Sequence, residues 1–266
     1  MTRSLKKIAV AILLMSCLAA RVLAGAYEDA LAAHDSGDYE TALRLLLPLA
    51  IQGEARAQIS IGAMYADGKG VARDYTEAAR WFRRAADQGN ARAQFNLGTL
   101  YDHGQGVPQA YAEAVKWYRL AAEQAHPGAQ FNLGIMYTEG RGVLQSDAEA
   151  MKWYRLSAEQ GHAGAQFNVA LRYAKGQGVP HNDAEAVRWA SLAANQGHVL
   201  AQYNLGIMYA NGRGVPQNHA EAVKWYRLAA EQGHVLAQSS LGLQYNNGRG
   251  VPRDVVQALK IGRAHV

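Results

Sequence analysis

Six Gly-x-Gly segments are the first feature of this sequence of 266 residues that could do chemistry, because glycine-rich loops can hold the phosphates of nucleotides. They begin at Gly68, Gly104, Gly140, Gly176, Gly212 and Gly248. A dinucleotide-binding loop needs a strand before it and a third glycine at the start of the next helix. Here the preceding residues have helical periodicity and the third glycine is absent. The segments therefore predict turns, and the sequence predicts no cofactor.

A row of histidines could in principle bind a metal ion. His126, His162, His198 and His234 recur every 36 residues. If each lies in its own helix pair, neighbouring rings are separated by at least the helix-packing distance, about 8–10 Å. Zinc needs its nitrogen ligands about 2 Å from one point. We therefore predict polar contacts at loops for these histidines and no metal site.

No catalytic motif stands out. His-Glu-x-x-His and Gly-x-Ser-x-Gly are absent, and the one Ser-x-x-Lys lies in the first residues of the chain. Periodic acids fall at predicted exposed positions, where Glu113 can pair with Lys116 one turn away; the others are Glu149, Glu185 and Glu221. A catalytic site needs an asymmetric constellation, whereas almost every polar group here belongs to a series. We predict no catalytic residue.

The elements that must position these residues come from one internal repeat. Ala-Gln pairs recur every 36 residues, beginning at 57, 93, 129, 165, 201 and 237. In phase with them are Tyr65, Tyr101, Tyr137, Tyr173, Tyr209 and Tyr245, and also Trp81, Trp117, Trp153, Trp189 and Trp225. No insertion interrupts the series between residues 54 and 260, so the sequence predicts a single array.

Each repeat has the periodicity of two helices. In residues 91–101 Ala93, Leu97 and Tyr101 fall on one stripe, and Gly98 beside it predicts a close approach of another helix. The second helix is predicted over residues 111–124. Helices this short are marginal alone, so stacked pairs must share one core.

The period divides the chain into successive units. Residues 25–53 predict an opening helix pair, over 26–36 and 39–51, without the longer loop. Five full repeats follow over 54–89, 90–125, 126–161, 162–197 and 198–233, then a truncated sixth over 234–260. Residues 261–266 depart from the pattern and resemble a translated sequencing adapter, so we expect them to be artefactual.

The pattern resembles the Sel-one-like repeat family, relatives of the tetratricopeptide repeat, over residues 54–260. The opening pair, with Gly37, Asp38 and Tyr39, looks more like the tetratricopeptide version. The resemblance implies an all-α fold, a right-handed α/α solenoid of stacked antiparallel helix pairs. Its members mostly hold other proteins together, in signalling, envelope assembly and contact of bacteria with host cells. Some cysteine-rich secreted relatives are linked to β-lactam or cell-wall chemistry, but this chain lacks their paired cysteines.

By analogy with tetratricopeptide solenoids, the first helices line a concave face that binds peptides. One amide per repeat lies at the edge of the buried stripe, at Asn96, Asn132, Asn168 and Asn204. These amides can either clamp a peptide backbone or brace neighbouring helices. Positions that vary between repeats are predicted to carry partner specificity; they are Thr99, Ile135, Leu171, Ile207, His103, Glu139, Lys175 and Asn211.

The first 24 residues have the layout of a secretory signal peptide, with basic residues from Arg3 to Lys7 and an uncharged apolar run over 8–20. This run is shorter than the roughly 20 residues that span a bilayer, so no membrane span is predicted. Cleavage is expected near Ala24 or Ala26. The alternative is lipidation at Cys17, the single cysteine, which the flanking residues favour less.

The net charge of +5 comes mostly from this leader, which carries four basic residues and no acid. The remaining chain is close to neutral, so the sequence predicts no nucleic-acid partner. We expect an exported, periplasmic or secreted, non-enzymatic scaffold that binds a protein or peptide in the concave groove. The alternative function is a cell-wall or β-lactam hydrolase.

Overall fold

The computed structural model describes residues 25–263, and every regular element in that range is an α-helix. Helix α1 covers residues 25–35. The others are α2 (Tyr39–Ile51), α3 (Ala55–Asp67), α4 (Tyr75–Asp87), α5 (Ala91–His103), α6 (Tyr111–Glu123), α7 (Pro127–Glu139), α8 (Asp147–Glu159), α9 (Ala163–Lys175), α10 (Asp183–Asn195), α11 (Val199–Asn211), α12 (His219–Glu231), α13 (Val235–Asn247) and α14 (Val255–Arg263). The predicted helices are confirmed to within one or two residues at their ends.

The predicted leader, including Cys17, lies outside the described residues. Of the segment expected to be artefactual, residues 261–263 continue α14, and residues 264–266 lie outside the description. No helix among residues 25–263 has the length and apolar composition that would let it cross a bilayer.

The chain forms two compact units, one ending at Gln124 and the other beginning at Ala125. This division was not predicted, because the 36-residue period passes through it unchanged. In the first unit α2 to α6 pack each on the next, and in the second α7 to α14 do the same. Both units therefore have the stacked helix pairs of an α/α solenoid.

Small residues let the helices of a pair approach closely. In the second unit, an added Cβ at Gly134 would lie 2.6 Å from the ring of Tyr154, and one at Gly206 would lie 2.6 Å from Tyr226. In the first unit Gly98 has the same relation to Tyr118, at 2.8 Å. The close approach predicted at Gly98 is confirmed, and the group it admits is an aromatic ring of the second helix.

The Gly-x-Gly segments form the turns between the two helices of a repeat. Their first glycines end the first helices with φ between 66° and 72°, and their second glycines have φ between 68° and 73°. The second glycine also passes close to an earlier helix: a Cβ on Gly178 would lie 2.2 Å from the Asp147 carbonyl oxygen. Both positions require glycine because the backbone is left-handed there, and the second also leaves no room for a side chain. The prediction that these segments form turns is therefore confirmed.

The glutamine of the Ala-Gln pair is buried in the five full repeats, where it forms links between helices. Gln166, 5% exposed, donates from Nε2 to the Ala158 carbonyl at 3.2 Å. Its Oε1 accepts from Nε2 of Gln196 at 2.7 Å. Gln202 makes the same pair of bonds to Ala194 and Gln232. In these repeats of the second unit the glutamine therefore ties a first helix to the end of the preceding second helix and to its own partner helix.

Candidate partner-binding face

The histidine row has a structural role at the start of the first helices. Nδ1 of His162 accepts from the backbone N–H of Ala165 at 3.1 Å, and Nδ1 of His198 accepts from Ala201 at 3.2 Å. His126 and His234 cap α7 and α13 in the same way. The prediction of polar contacts at these loops is confirmed, and the contacts are N-caps.

Aromatic rings partly bury these caps. The ring of His162 stacks on Phe131 with centroids 4.5 Å apart, and that of His198 stacks on Phe167 at 4.8 Å. Burial lowers the pKa of both His162 and His198 below the ordinary histidine value. Within residues 25–263, no three His, Cys, Asp or Glu side chains are grouped so that they could hold a metal ion.

The asparagine row lies on the first helices as predicted. Asn132, Asn168 and Asn204 in the second unit, and Asn96 in the first, are all half-buried. None of their side chains makes a hydrogen bond to another residue of the described chain, and none of their amide atoms is buried without a partner. Hydrogen-bond bracing of neighbouring helices is therefore not their role, and each amide is accessible to water or a ligand.

The predicted specificity positions lie one turn and two turns beyond the asparagines. Ile135, Leu171 and Ile207 are half-buried and contact the core of the second unit. Thr99, the equivalent in the first unit, donates to the Phe95 carbonyl at 3.1 Å and accepts from the hydroxyl of Tyr118 at 3.3 Å. The apolar members can therefore offer part of their surface to a partner, whereas the hydroxyl of Thr99 has partners within its own repeat.

The second set of specificity positions is exposed at the ends of the first helices. His103 contacts the Thr99 carbonyl through Nδ1 at 2.9 Å, and Glu139 pairs with Arg141 at 2.6 Å. Neither Lys175 nor Asn211 makes a hydrogen bond or ion pair with any other part of residues 25–263. Among the described residues, Lys175 is thus a cation without an acidic partner on the candidate face.

The structure brings four of the predicted residues together around one cavity of about 170 Å³ in the second unit. Leu171, Lys175, Asn204 and Ile207 line it, from helices α9 and α11. The remaining predicted residues do not line this cavity: Asn132, Ile135, Glu139, Asn168 and Asn211 lie elsewhere in the second unit, and Asn96, Thr99 and His103 lie in the first.

Sequence reasoning missed the residue that opens this cavity. Ala190 lines it and occupies the position that is Tyr154 one repeat earlier and Tyr226 one repeat later. The signal was present in the sequence, since an alanine interrupts an aromatic series at the 36-residue period. Ala170, which replaces the recurring helix glycine, also lines the cavity.

Comparison with known proteins identifies the family of the repeats. The Sel1 repeat model matches residues 55–90, 91–126, 127–162, 163–198, 199–234 and 235–261. A search of curated proteins found no match to the chain.

Two solved structures are similar over most of the chain. A protective antigen of uropathogenic Escherichia coli strains, with an SLR fold, is 43% identical with a TM-score of 0.81. The match covers 84% of this chain but 48% of the antigen, so the chain spans about half the length of that relative. A Sel1 repeat protein from Oxalobacter formigenes is 34% identical with a TM-score of 0.79, over 89% of this chain and 96% of the relative. Because six consecutive repeats match and these relatives share the fold, the chain belongs to the Sel1 repeat family.

Proposed function

We propose that the protein is an exported, non-enzymatic adaptor that binds a protein or peptide partner on the first-helix face of its repeats. The observation that carries the proposal is a row of accessible amides that make no hydrogen bond within residues 25–263, at Asn132, Asn168 and Asn204 in the second unit. An amide offers two donors and an acceptor, which is what a peptide backbone requires. Family membership supports the same function, because repeats of this kind commonly serve as scaffolds.

The surroundings of the amides also suit a peptide. Half-buried Leu171 and Ile207 supply apolar contacts within one turn of Asn168 and Asn204, and exposed Lys175 supplies a positive charge. Binding would hold the partner in place and raise its effective concentration near other bound molecules. No specific observation in residues 25–263 favours the hydrolase alternative.

Export is part of the proposal and rests on the leader sequence. Mass spectrometry of the N-terminus of protein from the native host tests it. A free Gly25 or Tyr27 supports cleavage after the leader, a diacylated Cys17 supports export with a lipid anchor, and an intact Met1 contradicts export.

Site-specific photocrosslinking tests the binding face. In the test protein a benzophenone amino acid replaces Asn211, at the exposed end of the first helix α11. In the matched control it replaces Asn195, at the exposed end of the second helix α10. In the native host we expect a discrete crosslinked protein with the probe at position 211 and none at position 195. Equal crosslinking at both positions, or at neither, would contradict a partner on the first-helix face.

A further inference from the structure

The fourth repeat lacks an aromatic ring that its neighbours contain. Within the second unit, Tyr154 and Tyr226 pack over Gly134 and Gly206. At the equivalent positions of the repeat between them, the second helix has Ala190 and the first helix has Ala170. Both alanines are buried, at 1% and 5% exposed. On α9, the methyl group of Ala170 therefore takes the place of a glycine hydrogen. On α10, the methyl group of Ala190 takes the place of a tyrosine side chain.

This exchange leaves space because a methyl group is much smaller than the ring that is lost. The space is the cavity of about 170 Å³, and its walls include Phe167, Ala174, Ala186 and Met208. An apolar cavity of about 150 Å³ is large enough to bind benzene. The cavity can therefore accept an aromatic side chain in place of the missing one.

The cavity lacks the side-chain hydrogen-bond partner that the ring hydroxyl has in the preceding repeat. In the preceding repeat the hydroxyl of Tyr154 lies 3.1 Å from Oγ1 of Thr138. The residue 36 positions after Thr138 is Ala174, which lines the cavity and offers no polar atom in its side chain. A phenol placed like Tyr154 would lose that hydrogen bond, whereas a phenyl ring would lose nothing.

The polar residues around the cavity favour an anion beside the ring. Lys175 and Arg213 are its charged lining residues, and no acidic side chain lines it. Arg213 donates to Oδ1 of Asp183 at 2.8 Å, but Lys175 has no acidic partner within residues 25–263. The amide of Asn204, also in the lining, makes no hydrogen bond there either. One cation and one amide thus remain free to bind a carboxylate.

We propose that this cavity is the specificity pocket of the adaptor, and that it binds a phenylalanine side chain of the partner whose adjacent carboxylate contacts Lys175 and Asn204. The proposal rests on the proposed function and adds the chemistry of the partner segment. It predicts a partner sequence in which phenylalanine is C-terminal or is followed by aspartate or glutamate.

A variant that fills the pocket tests the proposal. Ala170→Gly combined with Ala190→Tyr rebuilds the glycine and tyrosine arrangement of the neighbouring repeats, so the variant is expected to fold. Ala170→Gly alone is the matched control, which leaves the pocket open. The probe is N-acetylphenylalanine. Its binding is followed through the alanine methyl signals of the protein in carbon–proton correlation spectra of the full chain.

We expect N-acetylphenylalanine to shift the methyl signals of Ala170, Ala174 and Ala190 in the wild type. Binding should weaken at least tenfold in the double variant and severalfold in Lys175→Ala, and N-acetyltyrosine should bind more weakly than N-acetylphenylalanine. Absence of these shifts, or equal binding by the filled variant, would overturn the proposal. A partner whose affinity falls with Asn132→Ala and Asn168→Ala, but not with the filled pocket, would leave the proposed function standing and refute the pocket alone.

Discussion

The histidine caps make stability depend on pH in a way that one pair of substitutions can isolate. Nδ1 of His162 and His198 accepts a backbone N–H at the start of α9 and α11, and only the unprotonated nitrogen can do so. Burial lowers the pKa of both rings. Their contribution to the free energy of unfolding is therefore complete above about pH 6.5, the unfolded value, and is lost as pH falls through the lower pKa of the folded state.

The size of the fall in the free energy of unfolding on acidification follows from loss of the N-cap and from the helix dipole. Loss of an N-cap costs about 1 kcal/mol, and a positive charge at a helix N-terminus adds about 0.3–1 kcal/mol. For the two caps together we expect the free energy of unfolding to fall by about 2–4 kcal/mol between pH 7.5 and pH 5.

The control for this prediction is supplied by the chain. At the equivalent position of the second repeat, Asn90 caps α5 through Oδ1, which accepts from the N–H groups of Arg92 and Ala93 at 3.0 and 3.1 Å. His162→Asn combined with His198→Asn should therefore keep the caps and remove their titration. Urea denaturation followed by circular dichroism at both pH values provides the comparison. If the variant loses as much stability as the wild type on acidification, the cap reasoning is wrong.

Two further predictions concern backbone strain and a buried charge. Ala125 has φ of +61° where later repeats have glycine, as at Gly161, whose added Cβ would meet nothing within 4 Å. Left-handed backbone costs alanine about 1–2 kcal/mol, and the chain entropy of glycine offsets about 0.4–1 kcal/mol. Ala125→Gly should therefore raise the free energy of unfolding by about 0.5–1 kcal/mol, and Gly161→Ala should lower it by a similar amount. If urea denaturation shows that both variants change the free energy of unfolding in the same direction, this reasoning is wrong. Arg172, 4% exposed, pairs with Oδ1 of Asp147 at 2.8 Å at a position that is methionine in adjacent repeats. Because a buried charge without its partner is costly, Asp147→Ala should lower the free energy of unfolding by about 1–3 kcal/mol, and Arg172→Met should lower it by less. A larger loss for Arg172→Met than for Asp147→Ala in the same assay would contradict the reasoning.

The helices and turns could be predicted because their causes are local and repeat. The stripe through Ala93, Leu97 and Tyr101 predicts α5, and Gly104 in left-handed conformation ends it at His103. The turn role of the Gly-x-Gly segments follows from the same periodicity. Six copies of one pattern leave little freedom in these assignments.

The roles of single side chains depend on groups far apart in the chain and could not be predicted. The sequence shows that Gln166 is periodic, but its bond to Gln196 joins residues thirty positions apart. The cavity beside Ala190 depends on the volumes of side chains from three helices. The free amide of Asn168 becomes evident only when all possible partners are placed around it.

The central claim is that the first-helix face binds a partner through its amide row. The most direct measurement is the dissociation constant of the partner captured at position 211, determined by calorimetry for three forms of the full chain. The combined Asn132→Ala and Asn168→Ala variant loses hydrogen bonds worth about 0.5–1.5 kcal/mol each, so its affinity should fall about 10- to 100-fold. Asn195→Ala, on a second helix, should bind like the wild type. Equal affinities for all three forms, with helicity unchanged, would contradict the account.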